Sequence, residues 1–269
     1  MDVYFSRSST RKKAISRVWK INHHVKRGKR VRTIIWFIYF WGILLKLIPS
    51  LNRVKKFYQA GKIEERDWLV DQKVKEWSTS LVKLSGTRVT VSGEENIPND
   101  TAVLFVSNHQ GNFDIPILLG YIQKPKAFIS KIEVKKMPFI GTWMEQLNCL
   151  FMDRKNVRQS VQAINEGAKL LKNGTSLVIF PEGTRSKGDA MSEFKAGSFK
   201  LATKSGVPII PVTINGSYKI MEQQGFWIKP AEVHLTVHPP IYPEQHQDAK
   251  ELARVSEEII KNGVKKAVS

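Results

Sequence analysis

Short apolar runs alternate with amphipathic stretches through the second half of the chain. Most of these runs are short enough, and rich enough in β-branched and aromatic residues, to be buried strands. Residues 87–91 and 232–237 instead alternate apolar and polar side chains, as half-exposed strands do. The predicted strands are residues 87–91, 102–106, 127–129, 149–152, 176–180, 207–214 and 232–237.

The stretches between these runs have helical spacing. Apolar residues recur at intervals of 4, 3, 4 and 3, which marks a helix with one buried face, at Val70, Val74, Trp77, Leu81, Leu84 and again at Val157, Val161, Ile164, Ala168, Leu171. Further helices are predicted after residue 114, at about 197–205 and at 248–264. Strands that alternate with helices predict an α/β fold with a largely parallel central sheet flanked by helices.

An unusually aromatic segment lies near the amino terminus. Residues 34–45 form an uninterrupted apolar run that contains five aromatic residues, and the first 33 residues hold eleven lysines and arginines against one acidic residue. Because a membrane-spanning helix needs roughly 20 apolar residues, we interpret residues 34–48 as a monotopic or re-entrant anchor at the headgroup boundary. A tilted or shortened single span and a buried core helix remain alternatives.

The helix at residues 64–84 is expected to pack against this anchor. Residues 1–85 would then form a basic, membrane-associated two-helix unit, and residues 86–269 the α/β domain.

The charge of the chain indicates an anionic partner. It carries 43 basic and 24 acidic residues, a net charge of +19, which suits nucleic acid, an anionic membrane surface or phosphorylated substrates. The single cysteine, Cys149, excludes an internal disulfide and any cysteine-based metal cluster. Zinc and phosphate-loop motifs are missing from the sequence, so no metal site is expected.

Candidate chemistry centres on the octapeptide from Ser107 to Asp114. His109 would leave a buried strand, and Asp114 would cap the following helix, which has a proline in its first turn. Gly111 and Asn112 allow the loop between them to turn tightly, so the imidazole and the carboxylate can come within hydrogen-bonding distance.

A histidine held by a carboxylate is a general base with a fixed orientation. The sequence offers no obvious nucleophile beside it, since the nucleophile elbow motif is missing and Cys149 lies in another apolar run. The attacking hydroxyl is therefore expected to belong to a substrate. In the alternative interpretation, His109 and Asp114 only terminate a strand and a helix.

A second polar cluster follows the predicted strand at residues 176–180. Glu182, Gly183, Thr184, Arg185 and Ser186 combine a glycine, two hydroxyls and a guanidinium, which suits a phosphate-binding loop. Glu182 would orient Arg185 or hold the loop in shape. Arg154 and Lys195 are further candidates for the same anion. A surface turn with a Glu–Arg pair, and solvated single charges, are the alternatives.

Four ordered blocks resemble the glycerolipid acyltransferases, and most closely the 1-acylglycerol-3-phosphate acyltransferase type. The blocks are Asn108-His109 with Asp114, Phe151-Met152-Asp153-Arg154, Phe180 to Ser186, and Val207 to Val212. Met152 stands where isoleucine or valine is common in the family. With its flanks the resemblance covers about residues 85–240, and the first 85 residues carry little of it.

The resemblance implies the roles of individual residues. His109 would be the base and Asp114 its partner. The acceptor phosphate would be bound by Arg154, Glu182, Gly183, Thr184, Arg185 and Lys195. The pocket would be shaped by Asn108, Gly111, Phe113, Pro181, Ser186 and Pro208.

The reaction implied is transfer of a fatty acyl group from acyl-CoA or acyl carrier protein to the 2-hydroxyl of lysophosphatidic acid. It requires no cofactor beyond this co-substrate, and it would take place at the cytoplasmic face of a membrane. Glycerol-3-phosphate or another lysolipid is an alternative acceptor. A non-enzymatic protein that binds membrane lipid or nucleic acid is the other alternative, although no nucleic-acid motif supports nucleic-acid binding.

Overall fold

The computed structural model describes residues 28–153 and 156–266. Two consecutive helical stretches, α1 (residues 28–46) and α2, together cover Gly28–Gln59. The other helices are α2 to α9, of which α3 is the longest at 23 residues. Their bounds are α2 Ile48–Gln59, α3 Ile63–Ser85, α4 Asp114–Tyr121, α5 Ile132–Lys135, α6 Ile140–Gln146, α7 Val157–Lys172, α8 Lys200–Ser205 and α9 Ala249–Lys266.

Within the described residues, seven strands form one sheet in the order β1-β7-β6-β2-β5-β3-β4. All neighbouring pairs are parallel except β6 and β7, which are antiparallel. Five strands therefore share one direction, and their carboxyl ends lie at one edge of the sheet. The strands are β1 Arg88–Ser92, β2 Leu104–Ser107, β3 Ala127–Lys131, β4 Leu150–Met152, β5 Leu177–Ile179, β6 Ile209–Asn215 and β7 Glu232–Val237.

The core lies around the central strands, because β2 and β6 are buried along their whole length. Such continuous burial is typical of parallel strands covered on both faces. The predicted α/β fold with a largely parallel sheet is confirmed. Strand β1 pairs with β7 at one end of the strand order, so it is an edge strand, as the sequence predicted.

Helix α3 joins the amino-terminal helices to the sheet domain. The indole Nε1 of Trp36 on α1 donates a buried hydrogen bond of 2.9 Å to the carbonyl of Leu81 on α3. Helix α3 also packs against α4, which begins at Asp114. The expected packing of α3 against the anchor helix α1 is confirmed. Through α3, this pair of helices contacts α4, the helix that carries Asp114.

The amino-terminal helix is longer than the fifteen-residue segment considered from sequence. Among the described residues, Gly28–Gln59 is the one helix whose length and apolar composition suffice to cross a membrane, with a mean hydropathy of 1.9 over its most apolar window. Only 17% of that window is buried by the rest of the protein. The alternative of a buried core helix is therefore wrong.

Two helical predictions need correction. Val157 and Val161, the first two residues of the predicted buried stripe on α7, are 78% and 55% exposed, because this end of the helix has no covering layer. Helices α5 and α6, between Ile132 and Gln146, were not predicted at all.

Candidate active site

His109 and Asp114 lie together at the carboxyl end of β2. Nδ1 of the imidazole is 2.7 Å from Oδ2 of the carboxylate, so the predicted hydrogen bond is confirmed. Asp114 is fully buried, whereas 15% of the His109 side chain remains exposed. With Nδ1 bonded to the carboxylate, Nε2 is the nitrogen that can accept a proton.

The predicted capping role of Asp114 is wrong. Asp114 is the first residue of α4, and no side chain caps this helix. Its carboxylate turns back into the loop, where Oδ2 also accepts a hydrogen bond of 2.8 Å from the Gly111 N–H. The Ser217 hydroxyl donates to Oδ1. Three donors thus hold this buried carboxylate, which in turn holds the imidazole.

The turn after β5 forms hydrogen bonds with both the N–H and the carbonyl of His109. Oε1 of Glu182 accepts the His109 N–H at 2.7 Å, and the His109 carbonyl accepts the Ser186 N–H at 2.8 Å. The ring of Phe180 stacks on the imidazole with 4.1 Å between centroids. The two polar clusters found in the sequence therefore form one unit, as expected for loops at the carboxyl ends of parallel strands.

Glu182 supports these loops through both of its carboxylate oxygens. Its second oxygen, Oε2, accepts the Ser192 N–H at 2.8 Å, so both oxygens are engaged by backbone. Burial raises the pKa of this carboxyl group, although its hydrogen bonds with Ser192 and His109 oppose the shift. These contacts hold the loop in shape, which is one of the two roles predicted for Glu182.

Arg185 points toward the tip of the His109 loop. Its Nη1 donates to Oδ1 of Asn112 and lies 3.3 Å from Oε1 of Glu222. The side chain is 37% exposed and lines the same cavity as His109. It is therefore a charged group with access to a ligand beside the imidazole.

Lys195 lies over Gly183. Its Nζ is 2.9 Å from the position that a Cβ at Gly183 would occupy, and Gly183 has a positive φ of 73°. Only glycine readily combines this backbone conformation with such a close cation. Thr184 lines the cavity next to Arg185. Arg154 lies outside the described residues.

The predicted pocket residues divide into three groups. Phe113 lines the cavity directly. Asn108, Gly111, Pro181 and Ser186 act through the loops instead: the Asn108 amide, for example, pairs with both the N–H and the carbonyl of Ile214 at 2.8 Å. Pro208 is misplaced in the prediction, because it precedes β6 and pairs with Leu104 at the opposite edge of the sheet.

An apolar cavity of about 630 Å³ extends from these polar groups. His109, Asn112, Thr184 and Arg185 lie among its lining residues, and most of its remaining walls are aliphatic or aromatic. The stripe on α3, which was assigned no chemistry, forms part of the wall through Val74, Trp77 and Leu81. Further wall residues come from α1, α4 and α6, among them Trp36, Phe40, Leu44, Ile115, Leu119, Trp143 and Met144.

Cys149 also lines this cavity but is not an activated nucleophile. Burial raises the pKa of its thiol to about 12, with a small opposing effect from the hydrogen bond of the Phe128 N–H to the sulfur. At neutral pH almost no thiolate forms, and the thiolate is the reactive species. Cys149 is therefore not the nucleophile of this site.

Ser217 and Glu222 are site residues that the sequence interpretation missed. Both follow β6, whose carboxyl end lies beside that of β2. Asn215-Gly216-Ser217 is a polar segment directly after the most apolar strand, and this signal could have identified it. Among the described residues no group of three or more histidine, cysteine or acidic side chains is placed to hold a metal ion.

Comparisons with known proteins identify relatives of this chain. The Acyltransferase family model matches residues 88–215. The probable 1-acyl-sn-glycerol-3-phosphate acyltransferase of Mycoplasma pneumoniae is 37% identical over 190 residues, which are 67% of this chain and 69% of the relative. The chloroplastic enzyme BAT2 of Brassica napus is 39% identical over 158 residues, 58% of this chain, and the match spans only 45% of that longer relative.

A solved structure has the same fold over most of the chain. The crystal structure of the 1-acyl-sn-glycerophosphate acyltransferase PlsC from Thermotoga maritima superposes with a TM-score of 0.78 at 31% identity. The superposition covers 90% of this chain and 98% of that one.

Proposed function

Because this chain belongs to the acyltransferase family of the 1-acyl-sn-glycerol-3-phosphate acyltransferases, we propose that it acylates the 2-hydroxyl of lysophosphatidic acid to form phosphatidic acid. The acyl donor is a thioester, acyl-CoA or acyl carrier protein. The observation that carries the proposal is the His109–Asp114 pair of 2.7 Å at the polar end of an apolar cavity.

In this mechanism Nε2 of His109 takes the proton of the acceptor hydroxyl as its oxygen attacks the thioester carbonyl. Asp114 keeps the imidazole oriented and stabilises the imidazolium that forms. The carbon–sulfur bond then breaks, and the proton passes to the leaving thiolate. No covalent acyl-enzyme is needed, consistent with the thiol of Cys149 remaining protonated.

The acceptor phosphate is bound by the loop after β5. Arg185 provides the guanidinium, with Gly183, Thr184 and Lys195 beside it. Fixing the phosphate at one end and the hydroxyl at the imidazole orients the acceptor, which is the positional contribution to catalysis. The apolar walls suit an acyl chain, since they bury hydrocarbon surface near the reacting carbonyl.

The membrane surface is part of this proposal. Helix α1 lines the cavity with one face and exposes further apolar side chains on the other, including Ile34, Ile38 and Leu45. A helix that is apolar on all sides belongs in a protein core or in lipid. We propose that the exposed face contacts an anionic leaflet, which brings the cavity to the place where the lipid acceptor resides.

Acyl transfer by the purified protein tests this function. The assay supplies radiolabelled acyl-CoA or acyl carrier protein, with lysophosphatidic acid or glycerol-3-phosphate as acceptor, and identifies the product. His109→Ala is expected to reduce kcat by about 10²–10⁴-fold, the usual contribution of a general base. Near-parent turnover by His109→Ala would show that the base is wrong, and turnover only with glycerol-3-phosphate would change the acceptor.

A further inference from the structure

Glu222 lies between the loop that carries the base His109 and the guanidinium of Arg185. It lies on a short 3-10 turn, Glu222–Gln224, which follows the carboxyl end of β6. Its Oε1 accepts the Asn112 N–H at 2.7 Å, in the loop between His109 and Asp114. The same oxygen lies 3.3 Å from Nη1 of Arg185. One carboxylate thus contacts both the base-bearing loop and the candidate phosphate-binding cation.

The surroundings of Glu222 leave it little freedom. Its side chain is 5% exposed, and a Cβ at Gly111 would overlap its Oε2. Glycine at position 111 is therefore what allows the carboxylate to pack against the loop, while the N–H of Gly111 holds Asp114. Oε1 makes the contacts with Asn112 and Arg185, whereas Oε2 has no hydrogen-bond partner among the described residues.

Arg185 has a long, flexible side chain that a partner such as Glu222 can hold in place. A guanidinium on a long, 37% exposed side chain samples many rotamers unless it is held, and this freedom is lost when it binds a ligand. Within the part of the chain that the structure describes, its hydrogen bonds are made by Nη1, whereas a guanidinium has five N–H donors. A phosphate can therefore be bound through the other nitrogens while Nη1 stays on Glu222 and Asn112.

We propose that Glu222 is a positioning residue that holds Arg185 and the His109 loop in one fixed arrangement for the acceptor. The proposal rests on the function given above, in which Arg185 binds the acceptor phosphate. Its action is indirect: it keeps the guanidinium preorganised for the phosphate and keeps the loop tip in place through Asn112. Nothing in this role requires Glu222 to contact the acceptor.

A double-mutant cycle on equilibrium binding tests the proposal without requiring turnover. The ligand is a short-chain, water-soluble 1-acylglycerol-3-phosphate, and its dissociation constant is measured by calorimetry with no acyl donor present. We expect Arg185→Ala to weaken binding by about 10–100-fold and Glu222→Gln by about tenfold. In the Arg185→Ala background, Glu222→Gln is expected to change binding by less than about twofold, because residues that act through each other are not additive.

Kinetics then separate positioning from general support of the fold. Glutamine retains an oxygen that can accept the Asn112 N–H, so Glu222→Gln should raise the acceptor KM and leave the donor KM and kcat within about twofold. Glu222→Ala loses both contacts and should lower kcat as well. The matched control is Glu258→Gln, which breaks an exposed Glu–Arg pair on α9 and should change none of these constants.

Several outcomes would overturn the proposal. Additive effects of Arg185→Ala and Glu222→Gln on binding would show that Glu222 does not act through Arg185. Equal increases in the donor and acceptor KM for Glu222→Gln, together with a lowered thermal midpoint, would indicate a merely structural role. If the parent protein did not bind the lysophosphatidate at all, the proposed acceptor and this inference would both be rejected, whereas binding with additive effects rejects Glu222 alone.

Discussion

The buried carboxylate of Asp114 determines how His109 presents its second nitrogen. Replacing it with asparagine keeps the size of the side chain but allows the amide to donate to Nδ1, which favours the wrong imidazole tautomer. We expect Asp114→Asn to lower kcat by about 10²–10⁴-fold while the acceptor KM changes little. Steady-state kinetics with both substrates varied measures this difference.

The control for this variant is Ser217→Ala, which removes one of the three donors to Asp114 and leaves its charge. The remaining bonds from His109 and Gly111 should hold the carboxylate, so the loss in kcat should be at most about tenfold. An Asp114→Asn variant as active as Ser217→Ala would show that the carboxylate only supports the fold.

Much of this local chemistry could be predicted from spacing alone. His109 and Asp114 are five residues apart with a glycine between them, and this brings them together in any tight strand–loop–helix connection. The second carboxylate, Glu222, is 110 residues from Asn112 along the chain. Only the fold brings those two residues into contact, so no local pattern could reveal it.

Among the elements, the strands were the most predictable, because the buried ones are continuous apolar runs and the half-exposed ones alternate apolar and polar residues. β7 was predicted with its observed bounds, Glu232–Val237, since its apolar and polar positions alternate strictly. Helices α5 and α6 contain only 4 and 7 residues, too few to show a helical period. The cavity wall was equally hidden, because the Val74, Trp77 and Leu81 pattern predicts a buried face without revealing that part of that face borders open space.

The contact between α5 and α6 depends on Gly141. A Cβ at this position would overlap the backbone carbonyl oxygen of Lys135, an atom that cannot turn aside as a side chain can. We expect Gly141→Ala to lower the free energy of unfolding by about 1–3 kcal/mol, the usual cost of overpacking. Because Ile140 and Trp143 of α6 line the cavity, the acceptor or donor KM should rise as well.

Denaturant unfolding followed by circular dichroism measures this loss of stability. The control is Gly197→Ala, a position where a Cβ would meet nothing within 4 Å. It should leave the unfolding midpoint nearly unchanged. Equal destabilisation by both substitutions would show that the contact with Lys135 does not set the effect, because Gly→Ala by itself lowers the entropy of the unfolded chain and favours folding.

For the protein as a whole, charge and apolar surface favour the same partner. The net charge of +19 is of the sign that anionic lipid attracts, and each basic residue near such a surface would contribute about 1 kcal/mol. Ile34, Ile38, Trp41 and Leu45 recur at helical spacing along one side of α1 and are each more than 40% exposed. The opposite side, with Trp36 and Leu44, is buried against the protein.

This arrangement leads to a test of membrane docking. Ile38 is 69% exposed, and its transfer from water into lipid is worth about 1.5–3 kcal/mol. Replacing it with aspartate should therefore weaken binding to phosphatidylglycerol-containing vesicles by at least about tenfold, measured by co-sedimentation. Val157→Asp on α7, which is 78% exposed and outside this face, is the matched control and should bind as the parent does. Because Ile38 is not a cavity residue, both variants should still acylate a water-soluble short-chain acceptor. Equal loss of vesicle binding in both variants would reject α1 as the docking face.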